Sequence, residues 1–352
     1  MEFIGSENTA TQLQKFLPKA VLLEVIPMTQ GLINETYCLK TTQGDFLLQK
    51  LNTAVFKAAT PLMENIRMFQ EIPCPKEFQS PKFIQDPQGQ LLVKDPQGQL
   101  WRLQEFIPNA VAYDLAPKLS IAKQAGQLLC QFHQITAAGA LDKFHTPLSG
   151  FQDIQLRLDQ FSKAFKKADT QLIKTAQPAL ELIESLSNFV KNIPKSLPQR
   201  LCHNDTKLNN MLFHKKTHQG LCLVDLDTLM PGHAFYDFGD AFRTIANTAI
   251  EGDLKATVGF KKEFALAFIQ GLAQTKGVYS QREWSSFALG AVYMPFIHGL
   301  RALTDFLEGN RYYQVSYATE NLDRSLSLLA FAMQAYEQQN FIKECLQKNW
   351  NP

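Results

Sequence analysis

The run His203-Asn204-Asp205-Thr206-Lys207-Leu208-Asn209-Asn210 puts a carboxylate, a cation and an amide within one short segment. Its pattern, H-x-D-x-x-x-x-N, suits a carboxylate that accepts a hydroxyl proton and an amide oxygen that binds a metal ion. After it come an apolar stretch, Asn210 to Phe213, a polar stretch, His214 to Gly220, and a second apolar stretch, Leu221 to Leu226. This is the form of two strands and a turn. With the turn centred between Thr217 and His218, Asn210 and Asp225 are mirror-related and oppose each other. Directly opposed residues of an antiparallel pair have Cβ atoms ~4.5–5.5 Å apart. An amide oxygen and a carboxylate that close are hard donors suited to Mg²⁺, which takes few protein oxygens alongside phosphates. Asp205, on the loop before the hairpin, can orient or deprotonate an attacking hydroxyl, and Lys207 can sit by a transferred phosphoryl group as a point charge. Asp227 completes an Asp-Leu-Asp and either adds to the metal set or holds the loop. A lone Asp or Asn in a turn usually only bonds backbone; the four together at this spacing describe metal-assisted phosphoryl transfer.

The elements that must position these residues fall into two groups. In the first third, Gly31 to Lys40, a turn at 41–45 and Phe46 to Leu51 read as a hairpin. Residues 60–71 carry helical periodicity, with Thr60 as N-cap and Pro61 at the first helical position. The near-duplicates DPQGQL at 86–91 and 95–100 each form a turn, followed by the apolar runs Leu91 to Val93 and Leu100 to Ile107. After Pro108 the pattern turns helical: Ile121 to His133, 153–168, 171–193 and nearly all of 260–348. The fold class is α+β: a protein-kinase-like two-lobed fold, with a small antiparallel-sheet N-lobe over 1–107 and a large, mostly helical C-lobe over 108–352. A hinge lies near 105–109, and the 199–227 segment lies within the C-lobe.

A chain of 352 residues is long enough for two lobes. With 35 basic and 33 acidic residues the net charge is +2, so nothing calls for a nucleic-acid partner. The start of the chain lacks a basic segment leading into an apolar core, and the apolar stretch Phe287 to Leu300 contains Pro295 and His298. It reads as a buried helix, so no membrane partner is expected. Six scattered cysteines without a CxxC pair fit reduced thiols and a cytoplasmic location. Cys202 and Cys222 read as small core residues, and the chain as a monomer or homodimer.

HNDTKLNN, followed by VDLDTLMPG and YDFGDAFR, resembles the aminoglycoside phosphotransferase and choline kinase superfamily. Within it the chain is most similar to the N-acetylhexosamine 1-kinases, the likeness extending to GLINETY, FLLQKLN, WRLQEFI and LRALTDFLEGNRYY. The resemblance implies ATP and Mg²⁺ as cofactors and a small-molecule hydroxyl acceptor, a sugar, as partner. It implies Asp205 as base, Asn210 and Asp225 as metal ligands, and Glu105 to Ile107 as a hinge that bonds adenine. Gly31 to Thr36, with Asn34 between them, would cover the phosphates, and Asp237 would brace the catalytic loop. Arg301 and Tyr312 match sugar-contacting positions, while Leu32 and Thr244 stand where larger sugar-contacting residues are expected. Gln49 stands where the superfamily has a strand lysine that grips the α- and β-phosphates. Lys50 is next to it but on the opposite face by strand alternation. With no charge at Gln49, Lys207 and Mg²⁺ would carry more of the neutralisation. Two alternatives remain: the same fold acting on an aminoglycoside, choline or a methylthio-sugar, and a non-catalytic nucleotide-binding pseudokinase.

Overall fold

The computed structural model describes residues 6–28, 33–194, 196–253 and 256–351. Gly31 and Leu32, expected over the phosphates and beside the sugar, lie outside the described residues.

Alternating apolar and polar residues lay down the N-terminal sheet from β1 (Leu22–Met28), β2 (Glu35–Thr41), β3 (Gly44–Lys50), β4 (Phe83–Ile84), β5 (Val93–Lys94) and β6 (Leu100–Glu105). Its order is β1-β2-β3-β6-β4, antiparallel throughout, with β5 also paired to β6. The expected hairpin is β2–β3, closed at Thr41↔Gly44, where Gly44 takes a positive φ of 120° that a side chain would resist. Both DPQGQL copies fold alike: Asp86 and Asp95 each accept two turn amides through Oδ1. The sheet's inner apolar residues, including Leu39, Leu48, Trp101 and Leu103, close over the first helix, α1 (Ser6–Phe16).

The second helix, α2 (Ala59–Gln70), starts before its expected cap. Ala58 precedes it without a side-chain cap, and Thr60 sits inside the first turn. Its buried face, Leu62, Ile66 and Phe69, belongs to the C-lobe core, so α2 ties the lobes together.

From β7 (Ala110–Val111) onward the chain builds the helical lobe: α3 (Leu119–Thr136), α4 (Ile154–Lys167), α5 (Thr170–Thr175) and α6 (Gln177–Lys191) precede β8 (Arg200–Cys202). The single helix expected over 171–193 is thus two, broken at Ala176 just before Pro178, whose ring cannot continue a helix. Next come β9 (Met211–His214), β10 (Gly220–Leu223) and β11 (Met230–Gly232), then α7 (Ala234–Ile245), α8 (Lys262–Leu272), α9 (Gln281–Leu307), α10 (Glu320–Glu337) and α11 (Gln339–Lys348). The order β10-β9-β7 forms one small sheet and β11-β8 another. The apolar stretch around Pro295 lies buried within α9. There α7 crosses at glycine contacts, since a Cβ on Gly239 would lie 2.1 Å from the Gly290 carbonyl oxygen. Among the described residues no helix is long and apolar enough to cross a membrane.

Candidate active site

One face of α7 holds the loop 203–208. Asp237 Oδ2 accepts the His203 amide at 2.9 Å, and Oδ1 accepts the Asn204 amide at 2.6 Å. Asp240 Oδ2 accepts the Lys207 amide at 2.8 Å, and Thr244 Oγ1 accepts the Leu208 amide at 3.0 Å. These three side chains are spaced i, i+3 and i+7, one stripe of a helix. Behind them His133 Nε2 bonds Asp237 Oδ2 at 2.8 Å, and His133 Nδ1 bonds the Tyr279 hydroxyl at 2.9 Å. Burial lowers the His133 pKa, outweighing the support of Asp237, so the ring stays neutral and donates to the carboxylate. Cys202 adjoins this pair; both it and Cys222 are fully buried, as expected for core residues. Asn204 takes φ 63°, a left-handed turn that Asn tolerates, and its amide donates to the carbonyls of Cys202, Thr228 and Met230.

The pinned backbone presents Asp205. Its Oδ2 lies 3.1 Å from Lys207 Nζ and accepts from Asn210 Nδ2 at 2.8 Å. Asn210 Nδ2 also donates to the Asp205 carbonyl at 2.8 Å, so the amide oxygen of Asn210 is turned away from Asp205. Burial would lower the Lys207 pKa, but Asp205, Asp225 and Asp240 outweigh it and raise it, so the side chain stays charged.

The hairpin departs from its expected register. The turn is centred one residue earlier than expected, giving Gly220↔Phe213, and a β-bulge between Gly220 and Cys222 takes back one position of the offset, giving Leu223↔Met211. Asn210 therefore faces Val224, whose amide bonds the Asn210 carbonyl at 2.9 Å, and the expected Asn210–Asp225 opposition is corrected. Asp225 lies two residues beyond the last strand residue, Leu223, at φ 64°, the left-handed start of a short 3₁₀ turn, Leu226–Thr228. The residue is exposed, while its carboxylate stands among Asp205, Asp227, Lys207 and Arg102. Loss of hydration there, then repulsion from Asp227 and Asp205, pushes its pKa up to about 6, opposed by Lys207 and Arg102.

Asp227, expected as a third metal ligand, has both oxygens taken by the protein. Oδ1 pairs with Arg102 Nη1, and Oδ2 accepts from Asn34 Nδ2 at 2.7 Å. Its observed work is to hold the lobes together. Arg102, 1% exposed, stands directly across β3–β6 from Gln49, and its Nε donates to Gln49 Oε1 at 2.9 Å. Gln49 Nε2 in turn donates to Thr36 Oγ1 at 3.1 Å, while Asn34 Oδ1 accepts the Asn52 amide. Lys50 points to the other face and pairs with Glu35 at 2.8 Å. Arg102, Asn204 and Asp240 were not singled out by spacing. For Arg102 the available signal was a charged residue inside the apolar strand LWRLQE.

At the junction of the lobes, the amide of Glu105 is taken by the Lys82 carbonyl and that of Phe106 by the Asp45 carbonyl. Among the described residues the Ile107 amide has no such partner. On the other side, Lys207 and Thr244 line a pocket with Asp114, Asn209, Asn247 and Ser327, whose buried hydroxyl has no protein partner. The two remaining expected acceptor residues are not in this lining: Arg301 stacks over Phe151 at 5.0 Å, and Tyr312 is half-exposed.

The model of the phosphotransferase enzyme family matches residues 24–277. The chain belongs to this family. With membership comes small-molecule phosphotransfer as the class of activity. Solved structures share the fold over nearly the whole chain. A microcompartment-associated aminopropanol kinase is 16% identical, with a TM-score of 0.61 over 95% of this chain and 98% of that one. An aminoglycoside 2'-phosphotransferase-IIIa in a GDP complex is 12% identical, with a TM-score of 0.63 over 92% and 98%. A spectinomycin phosphotransferase with ADP and spectinomycin is 12% identical, with a TM-score of 0.60 over 94% and 98%. At such identities the likeness is one of fold: a two-lobed, kinase-like α+β architecture.

Proposed function

We propose that this phosphotransferase moves the terminal phosphoryl group of ATP, with Mg²⁺, to a hydroxyl of a small molecule, with the anomeric hydroxyl of an N-acetylhexosamine as the leading acceptor. The observation that carries the reading is the triangle of Asp205, Lys207 and Asn210, with contacts of 3.1 and 2.8 Å at the Asp205 carboxylate. Asp205 orients the acceptor hydroxyl and takes its proton, and Lys207 meets the charge that develops on the transferred group.

The donor set suits a magnesium ion. The amide oxygen of Asn210 and the carboxylate of Asp225 are hard oxygens that accept no protein hydrogen bond among the described residues. Asp227 is set apart from this pair by its bonds to Arg102 and Asn34. When bound, the ion neutralises phosphate charge. Around the nucleotide, Ile107 and the Glu105 segment serve the adenine, and Gly31, Asn34, Thr36 and Gln49 serve the phosphates.

For the acceptor, the pocket beside Lys207 and Thr244 mixes the amides of Asn209 and Asn247 and the hydroxyls of Thr244 and Ser327 with the charged Asp114, Arg243 and Glu251 and an apolar wall, a lining that can hydrogen-bond a hydroxylated molecule. The sugar preference itself rests on the sequence resemblance, with Arg301 and Tyr312 as further contacts. The test is ADP release with Mg²⁺ across N-acetylhexosamines, other sugars, aminoglycosides, amino alcohols and choline. The reading expects an N-acetylhexosamine to raise ADP release above the acceptor-free rate and to yield an anomeric phosphate by phosphorus NMR. Release with another acceptor class alone would overturn the sugar assignment; ATP binding without release for any acceptor would leave the pseudokinase alternative.

A further inference from the structure

A polyphosphate entering the cleft meets few cations. On the sheet side, Lys50 faces away and is paired with Glu35. Arg102 faces inward, but it is 1% exposed and already paired with Asp227, so it is poorly placed to touch a ligand. What it touches is Gln49.

Resting on the phosphotransferase reading above, we propose that Arg102 is a positioning residue for the nucleotide phosphates: it locks the Gln49 amide so that the remaining N–H of Gln49 serves the cleft, and Asp227 holds it in place. A guanidinium only donates. The Gln49 atom 2.9 Å from Arg102 Nε is therefore Oε1, which removes the usual freedom of an amide to flip. The other end, Nε2, carries two N–H groups, and Thr36 Oγ1 takes one of them at 3.1 Å. No other described residue takes a bond from Nε2, and Gln49 is half-buried, the middle member of the rung Thr36↔Gln49↔Arg102. A bond from a charged donor to Oε1 polarises the amide and strengthens its remaining N–H. The buried charge that does this needs a counterion, and Asp227 provides it. Asp227 reaches Arg102 from the loop just after Asp225, so the same ion pair fixes the sheet against the proposed metal loop.

The experiment is calorimetric binding of adenosine and of ADP, with no turnover, to the full chain and to Gln49→Glu. A glutamate keeps an oxygen for Arg102 but offers the cleft an acceptor where Gln49 offers a donor. The expected result is an unchanged or higher Tm, unchanged adenosine affinity and ADP affinity weakened about 10- to 100-fold, the loss of a hydrogen bond replaced by like-charge repulsion. The double variant Gln49→Lys/Arg102→Met, which puts a cation directly at the rung, is expected to regain most of the ADP affinity lost in Arg102→Met. Wild-type ADP affinity in Gln49→Glu would overturn the assignment, and so would an equal loss for adenosine and ADP, which marks a merely structural role. If the unaltered chain bound neither adenosine nor ADP, the phosphotransferase reading would fall first and this one with it.

Discussion

Asp237 and Asn204 meet through one hydrogen bond of 2.6 Å, carboxylate to backbone amide, and this bond joins the first turn of α7 to the 203–208 loop. The same carboxylate takes the His203 amide and His133, so three donors converge on two oxygens with no exposure to water. Asp237→Asn presents an amide N–H to a site built wholly of donors. One buried donor then loses its partner, at ~1–3 kcal/mol. Thermal melts are expected to show a lower Tm, and ADP release is expected to fall with it as Asp205 loses its support.

Asp205→Asn is expected to separate chemistry from folding. An asparagine oxygen can still accept from Lys207 Nζ and Asn210 Nδ2, so the local geometry survives. What disappears is the proton acceptor, expected to lower kcat by about 10²–10⁴-fold. Tm and ADP affinity are expected to stay near those of the unaltered chain. Full turnover in this variant would remove the base assignment.

The Arg102–Asp227 pair is buried on both sides, so breaking it from one side leaves a charge without a partner. Arg102→Met is expected to cost ~3–5 kcal/mol, read as a lower denaturation midpoint. Adding Asp227→Asn to it removes the stranded charge and is expected to recover part of that loss. A double-mutant cycle that came out additive would show the two residues to be energetically independent.

Much of the architecture is legible in the sequence. The β2–β3 turn, the helical periodicity after Pro108 and the H-x-D-x-x-x-x-N segment each follow from local pattern, and the family match over 24–277 agrees with them. What local pattern could not carry was register and long-range pairing. Counting outward assumes the turn centre is known and the ladder has no insertions; the turn is centred one residue earlier, and the bulge at Gly220/Cys222 takes back only half of the resulting offset, so Asn210 faces Val224. Arg102 meets Asp227 across 125 residues, and only its burial inside a strand hinted at a partner. The N-cap of α2 shifted because the helix is held by Leu62, Ile66 and Phe69 against the C-lobe, which outweighs a cap. The pocket beside Thr244 draws on segments from Asp114 to Phe331, and no spacing rule joins them.

Asp225 supplies a pH signature. Its pKa stands at about 6 in the folded chain against an ordinary 3.8, raised by lost hydration and by Asp227 and Asp205. Between those values the folded state binds more proton than the unfolded state, so this group makes stability fall as pH rises through the window. Asp225 is an exposed residue, so water screens part of the repulsion and the effect on Tm is expected to be a few degrees. Asp225→Asn removes the titrating group, so its Tm is expected to decline less than that of the unaltered chain from pH ~4 to ~7. Protons and a metal ion also compete for the carboxylate. Magnesium is therefore expected to raise the Tm of the unaltered chain more at pH ~8 than at pH ~5, and to raise that of Asp225→Asn little at either. A magnesium shift that ignored both pH and this substitution would remove Asp225 from the proposed ligand set.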